Sequence, residues 1–181
     1  MLDLFLAMAV AAYPTTPTGV SVVTIGNSLA RSCYESAEAR QATDVAIAEC
    51  TQALAGPIVQ SDQVATFVNR GVLKLVRADH AGAEADFDTA LALQPDQPEA
   101  WLNKGISLYQ RGDSRGALSL LGRSIELHTA RPAIAYYARG LANEDSGNIR
   151  AAYEDLRRAQ ALSPKWTAPK AELVRYQVRQ R

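Results

Sequence analysis

Residues 67–71 read Phe-Val-Asn-Arg-Gly, residues 101–105 read Trp-Leu-Asn-Lys-Gly, and residues 136–140 read Tyr-Tyr-Ala-Arg-Gly. The closing glycines, Gly71, Gly105 and Gly140, stand 34 and 35 residues apart. Twelve residues after each comes an alanine: Ala83, Ala117 and Ala152. Four further on is a large apolar residue, Phe87, Leu121 or Leu156, and three beyond that a small one, Ala90, Ser124 or Ala159. Pro95 and Pro164 close the first and third units, with Thr129 in that place in the second. A fixed period with matched internal spacing marks a protein built of stacked repeats.

Each unit divides into two helical stretches. Phe67, Val68, Val72, Leu75 and Val76 share helical spacing, Ala78-Asp79-His80 interrupts it, and Ala83, Phe87, Ala90 and Leu91 resume it. The second unit turns at Gly112-Asp113 and the third at Gly147-Asn148. Glycine ends a helix in the left-handed conformation, and Asp or Asn suits the start of the next. The recurring small residues let two helices cross closely while Phe67 and Phe87 fill the flanking space. These positions are therefore read as core. Arg70 precedes Asp86 by sixteen residues and Arg139 precedes Asp155 by sixteen, a spacing that predicts an ion pair across each hairpin. In the middle unit Lys104 faces Leu120 and the acid is missing.

From Val64 to about Trp166 the chain resembles the tetratricopeptide repeat family, with units at 64–97, 98–131 and 133–166. That resemblance implies an all-α fold, an α-α superhelical solenoid, with 167–181 as a C-terminal capping helix. A fourth, degenerate unit is read at 28–60. There Ala46, Cys50 and Ala53 copy Ala83, Phe87 and Ala90, while Tyr34 replaces the glycine. The expected helices are 28–39, 42–54, 65–77, 81–93, 98–111, 114–127, 133–145, 148–161 and 168–179.

In the repeat frame Cys33 aligns with Arg70 and Cys50 with Phe87, so the two cysteines fall on facing sides of one hairpin. The frame favours a disulfide, which would close a loop worth about 3 kcal/mol in the chain-entropy picture. The alternative is two buried free thiols. Upstream, Leu4 to Ala12 is an apolar run ending in small residues, followed by the polar, proline-containing 13–19. Residues 1–12 resemble a secretory signal, although Asp3 stands where a basic residue belongs. Residues 13–27 are expected to be extended. With arginine exceeding lysine 15 to 4, the composition suggests a GC-rich bacterial genome. The expected location is thus periplasmic or secreted, with the cytoplasm as the alternative.

Nineteen acidic and nineteen basic residues cancel, so no net field favours nucleic acid or an anionic membrane. The apolar run is too short to span a bilayer. His80 and His128 lack carboxylate or cysteine neighbours at ligand spacing. Ser28 and Ser107 lack a nucleophile-elbow context, and Gly19 to Gly26 lacks the Lys-Ser/Thr of a phosphate loop. The sequence therefore predicts no catalytic residues, cofactor or metal, and no enzyme.

The resemblance implies a concave groove lined by the first helices of successive repeats. Its residues would be Val68, Asn69, Val72 and Val76, then Leu102, Asn103, Ile106 and Tyr109, then Tyr137, Ala138, Leu141 and Glu144. Family members that clamp a C-terminal carboxylate use basic residues here. Asn103 fits that clamp, but Val68, Ile134 and Ala138 occupy the basic places. The expectation is an exposed apolar strip with Asn69 and Asn103 placed to bond a peptide backbone. Its occupant would be an apolar peptide or helix of a protein partner, or residues 19–26 of the chain itself. The function expected is a protein–protein interaction scaffold, with a self-associating structural subunit as the alternative.

Overall fold

The computed structural model describes residues 28–178, with side chains to Tyr176. The expectations for 1–12 and 13–27 lie outside these residues. Among the described residues there are nine α-helices and no strand. They are α1 Ser28–Glu38, α2 Asp44–Ala55, α3 Gln60–Val76, α4 His80–Leu93, α5 Pro98–Gln110, α6 Ser114–Glu126, α7 Pro132–Asp145, α8 Ile149–Leu162 and α9 Thr167–Val178. All nine match the helices read from the sequence, most within two residues. The exception is α3, which starts at Gln60 rather than 65. Its first turn, Gln60-Ser61-Asp62-Gln63, is polar and carries no apolar period, so the sequence pattern begins one turn late. The described chain falls into two compact units, 28–100 and 101–178.

The turns follow the residues that make them. Gly112 and Gly147 adopt φ of 87° and 83°, and Ala78 occupies the equivalent place in the first full repeat at φ 60°. Asp79 and Asp113 then cap the next helices, their carboxylates accepting from Gly82 N at 3.0 Å and Gly116 N at 2.8 Å. A side-chain acceptor at this position satisfies one of the free amides of a helix start.

In the 28–100 unit, α3 and α4 cross where Gly71 meets Phe87. A β-carbon on Gly71 would lie 2.4 Å from the Phe87 ring, so only glycine fits this approach. Val64, Ala65, Val68, Ala90 and Ala100 form a buried cluster beside it, flanked by Phe67, Leu91 and Leu93. Arg70 binds Asp86 with two hydrogen bonds, Nε to Oδ2 at 2.9 Å and Nη2 to Oδ1 at 2.6 Å. Lys74 adds a second cation at 2.7 Å. Asp86 is only 3% exposed, so its charge is held by paired cations rather than by water.

The hairpin α1–α2 uses a different fastening. Cys33 and Cys50 form a disulfide with Cα atoms 4.9 Å apart. Beside it Ser32 Oγ donates to Glu49 Oε2 at 2.6 Å. The hairpin is tied to α3 by Arg70 Nη1 donating to Thr51 Oγ1 at 3.0 Å and by the Arg77–Asp44 ion pair.

In the 101–178 unit, Gly105 meets Leu121 and Gly140 meets Leu156 in the same manner as Gly71 meets Phe87. Arg139 repeats the two-bond grip on Asp155, at 2.8 and 2.7 Å, and Asn143 adds a third bond at 3.1 Å. Its guanidinium lies over the Tyr136 ring, 5.4 Å from the centroid. The Asp155 bond is the main cause raising the Arg139 pKa above its ordinary value, partly offset by burial.

Candidate interaction surfaces

The twelve side chains expected to line a groove divide between the two units. In 28–100, Val68, Asn69 and Val72 are buried and Val76 is half-buried. Val68 is spent on the cluster with Val64, Ala65, Ala90 and Ala100. In 101–178, Leu102, Asn103, Ile106, Tyr137 and Ala138 are also buried. The Tyr137 ring meets Trp166 edge to face, with centroids 4.7 Å apart. Tyr109, Leu141 and Glu144 are half-buried. Eight of the twelve are thus buried, where the sequence reading expected an exposed strip. The helical period that puts them on one side of each first helix cannot tell an inward face from an outward one. Asn69 and Asn103 already have interactions of their own, so neither is an idle donor awaiting a peptide.

Tyr109 leads to a group of charged residues that pattern reading did not single out. It comes from α5, and its hydroxyl bonds Asp145 at the end of α7. Ser114, opening α6, donates to Asp145 Oδ2 at 3.3 Å. Glu144 and Glu172 share one cation, Arg175 Nη2, at 2.6 Å each. Tyr176, on α9, completes the group. Burial is the first cause pushing the Tyr109 hydroxyl up to about 12, followed by the charge and hydrogen bond of Asp145 and the charges of Glu172 and Glu144. Burial likewise pushes Tyr176 up to about 12, helped by the adjacent Glu144 carboxylate. A low-dielectric site beside carboxylates disfavours a phenolate.

Asp145 also lines a cleft of about 390 Å³ with Gly112, Asp113, Ser114, Arg115 and Ser146. Glu144 was legible in the sequence as a first-helix residue. Asp145, Glu172, Arg175 and Tyr176 were not, because α7 and α9 are brought together by packing rather than by any local spacing.

A tetratricopeptide repeat model matches residues 68–125 and 102–165, a little over half of the chain. The chain belongs to the tetratricopeptide repeat family. No curated protein sequence matches this tetratricopeptide repeat protein significantly. Among solved structures it is similar to MamA 41-end from Desulfovibrio magneticus RS-1, at 20% identity and a TM-score of 0.68, covering 86% of this chain and 84% of that one. It is also similar to the first TPR domain of human RPAP3, at 18% identity and a TM-score of 0.58, covering 62% and 87%. The first TPR of Spaghetti (RPAP3) bound to the HSP90 peptide SRMEEVD gives the same identity and TM-score, covering 62% and 88%. At these identities the likeness is one of fold, the all-α solenoid of tetratricopeptide repeats.

Proposed function

We propose that this tetratricopeptide repeat protein is a non-enzymatic protein-interaction scaffold that takes an apolar peptide or helix against the first helices of its repeats. Membership of a family whose domains are generally interaction modules carries this reading. The RPAP3 domain with its HSP90 peptide illustrates peptide capture by the fold. That peptide is acidic, whereas this chain has Val68, Ile134 and Ala138 where carboxylate-clamping members place basic residues. Without those cations, an apolar ligand is favoured over an acidic one. On the 101–178 unit the accessible apolar contacts are Tyr109 on α5 and Leu141 on α7.

The test is a random peptide library panned on the purified chain. Apolar sequences with helical spacing should be enriched, and Leu141→Glu should lose them while its helical circular dichroism is unchanged. No enrichment, or equal capture by the variant, would sink the proposal. The Cys33–Cys50 disulfide supports placing the scaffold in an oxidising compartment such as a periplasm.

A further inference from the structure

We propose that the outer face of α8 is a docking surface for a second copy of this chain, which meets it with the outer face of its own α4. The contact uses second helices of the repeats, whereas the peptide reading above uses first helices. Zero net charge conceals a segregation. Residues 28–100 carry eleven acidic and five basic side chains, and residues 101–178 carry seven acidic and twelve basic. Within α4 there are three acids and no lysine or arginine. Within α8, of the same length, there are three arginines and two acids.

The repeat frame places these charges in register. A shift by the 69 residues that separate Gly71 from Gly140 lays Asp88 on Arg157 and Asp96 on Lys165. All four are exposed. Equivalent outward positions of two similar hairpins therefore carry opposite charge, and neither set is covered within the chain. The α8 face also has apolar content. Ile149, Tyr153 and Arg157 follow one another at one-turn intervals, and Ile149 and Tyr153 are 43% and 37% exposed. Arg157 lies over the Tyr153 ring, 5.9 Å from its centroid, and Arg158 over the Tyr136 ring at 6.0 Å. Among the described residues neither guanidinium forms an ion pair. On α4 the outward stripe is Ala81, Ala85, Asp88 and Ala92, all exposed. Its short side chains leave room for Tyr153 and Ile149 of another copy. Asp88 supplies a carboxylate, which an arginine can grip with two parallel bonds.

A second copy is favoured over an unrelated acidic partner. One chain carries both faces, so every copy supplies them in equal number. The whole chain is neutral, so two copies approach without net repulsion. A face that meets a different face of the same molecule makes a heterologous contact. Each helix has 14 residues and is about 21 Å long. Such a contact is smaller than the roughly 1,000 Å² that a stable interface buries, so the association is weak and led by charge.

Sedimentation velocity on the full oxidised chain, from micromolar to near-millimolar concentration, tests this. At about 0.01 M ionic strength the mean mass should rise with concentration. At about 1 M, where the screening length falls from about 30 Å to about 3 Å, the rise should shrink. Arg157→Glu with Arg158→Glu should weaken self-association by about tenfold, with helical circular dichroism unchanged. Asp88→Lys with Asp96→Lys should do the same, and mixing the two double variants should restore association. Arg123→Glu with Lys170→Glu makes the same change in net charge on other helices and should associate like the parent. A monomer at every concentration in low salt, unchanged association in either α8 or α4 variant, no restoration on mixing, or equal loss in the Arg123→Glu, Lys170→Glu control overturns the proposal. So does a chain that stays monomeric while α8 captures a poly-glutamate peptide, which assigns the face to a different acidic partner.

Discussion

Ala78 holds φ at 60°, the place where the next two repeats use Gly112 and Gly147. A β-carbon in this left-handed region clashes with its own backbone, at about 1–2 kcal/mol. Glycine would remove that strain but gives back part of the gain through its freer unfolded chain. Ala78→Gly should therefore stabilise the protein by about 0.5–1 kcal/mol. Thermal or urea unfolding measures this directly, and a lower midpoint would contradict it. The residue is a legible one: its position seven after Gly71 matches Gly112 and Gly147 in the sequence. What the sequence does not show is that the turn keeps its conformation despite the alanine.

The helical hairpins share one architecture and fasten it in two ways. Where α3–α4 and α7–α8 use arginine gripping aspartate, α1–α2 uses Cys33–Cys50, with Cys33 in the arginine's register. Tyr34 replaces the glycine that lets the other hairpins close, so the covalent link does the work of tight packing. Cys33→Ser with Cys50→Ser should cost about 3 kcal/mol, because the 17-residue separation no longer limits the unfolded chain. Hydrogen exchange should show the loss concentrated in 28–55, with α8 and α9 little changed. Uniform acceleration across all helices, or none, would contradict the reading of the disulfide as a local fastening.

At the scale of the whole chain, formal charge is balanced, and two phenols, one half-buried and one buried, resist ionisation. Tyr109 and Tyr176 keep their protons to about 12 when folded, against 10 for a free phenol. Between those values the folded state binds protons that the unfolded state has released. Their contribution is therefore complete below pH 10 and is lost as pH rises toward 12. Thermal unfolding should show a midpoint falling steeply across this interval. Tyr109→Phe should flatten the fall, since phenylalanine cannot ionise. An unaltered slope in that variant would place the alkaline loss elsewhere.

By itself the sequence determined the repeat, the helices, the hairpin turns and both arginine–aspartate pairs, and it favoured the disulfide over two free thiols. Each depends on spacing within one or two neighbouring helices, which a fixed period records faithfully. Tertiary structure alone decided which face of each first helix is buried. Val68 and Tyr137 show why: their helical positions are compatible with a solvent-facing strip, but one is consumed by Val64, Ala90 and Ala100 and the other by Trp166. It also decided the gathering of Tyr109, Asp145, Glu172 and Tyr176, residues from three helices whose meeting is fixed by how α5, α7 and α9 pack. A side chain's neighbours along the helix are written in the chain; its neighbours across helices depend on distances that only the folded packing sets.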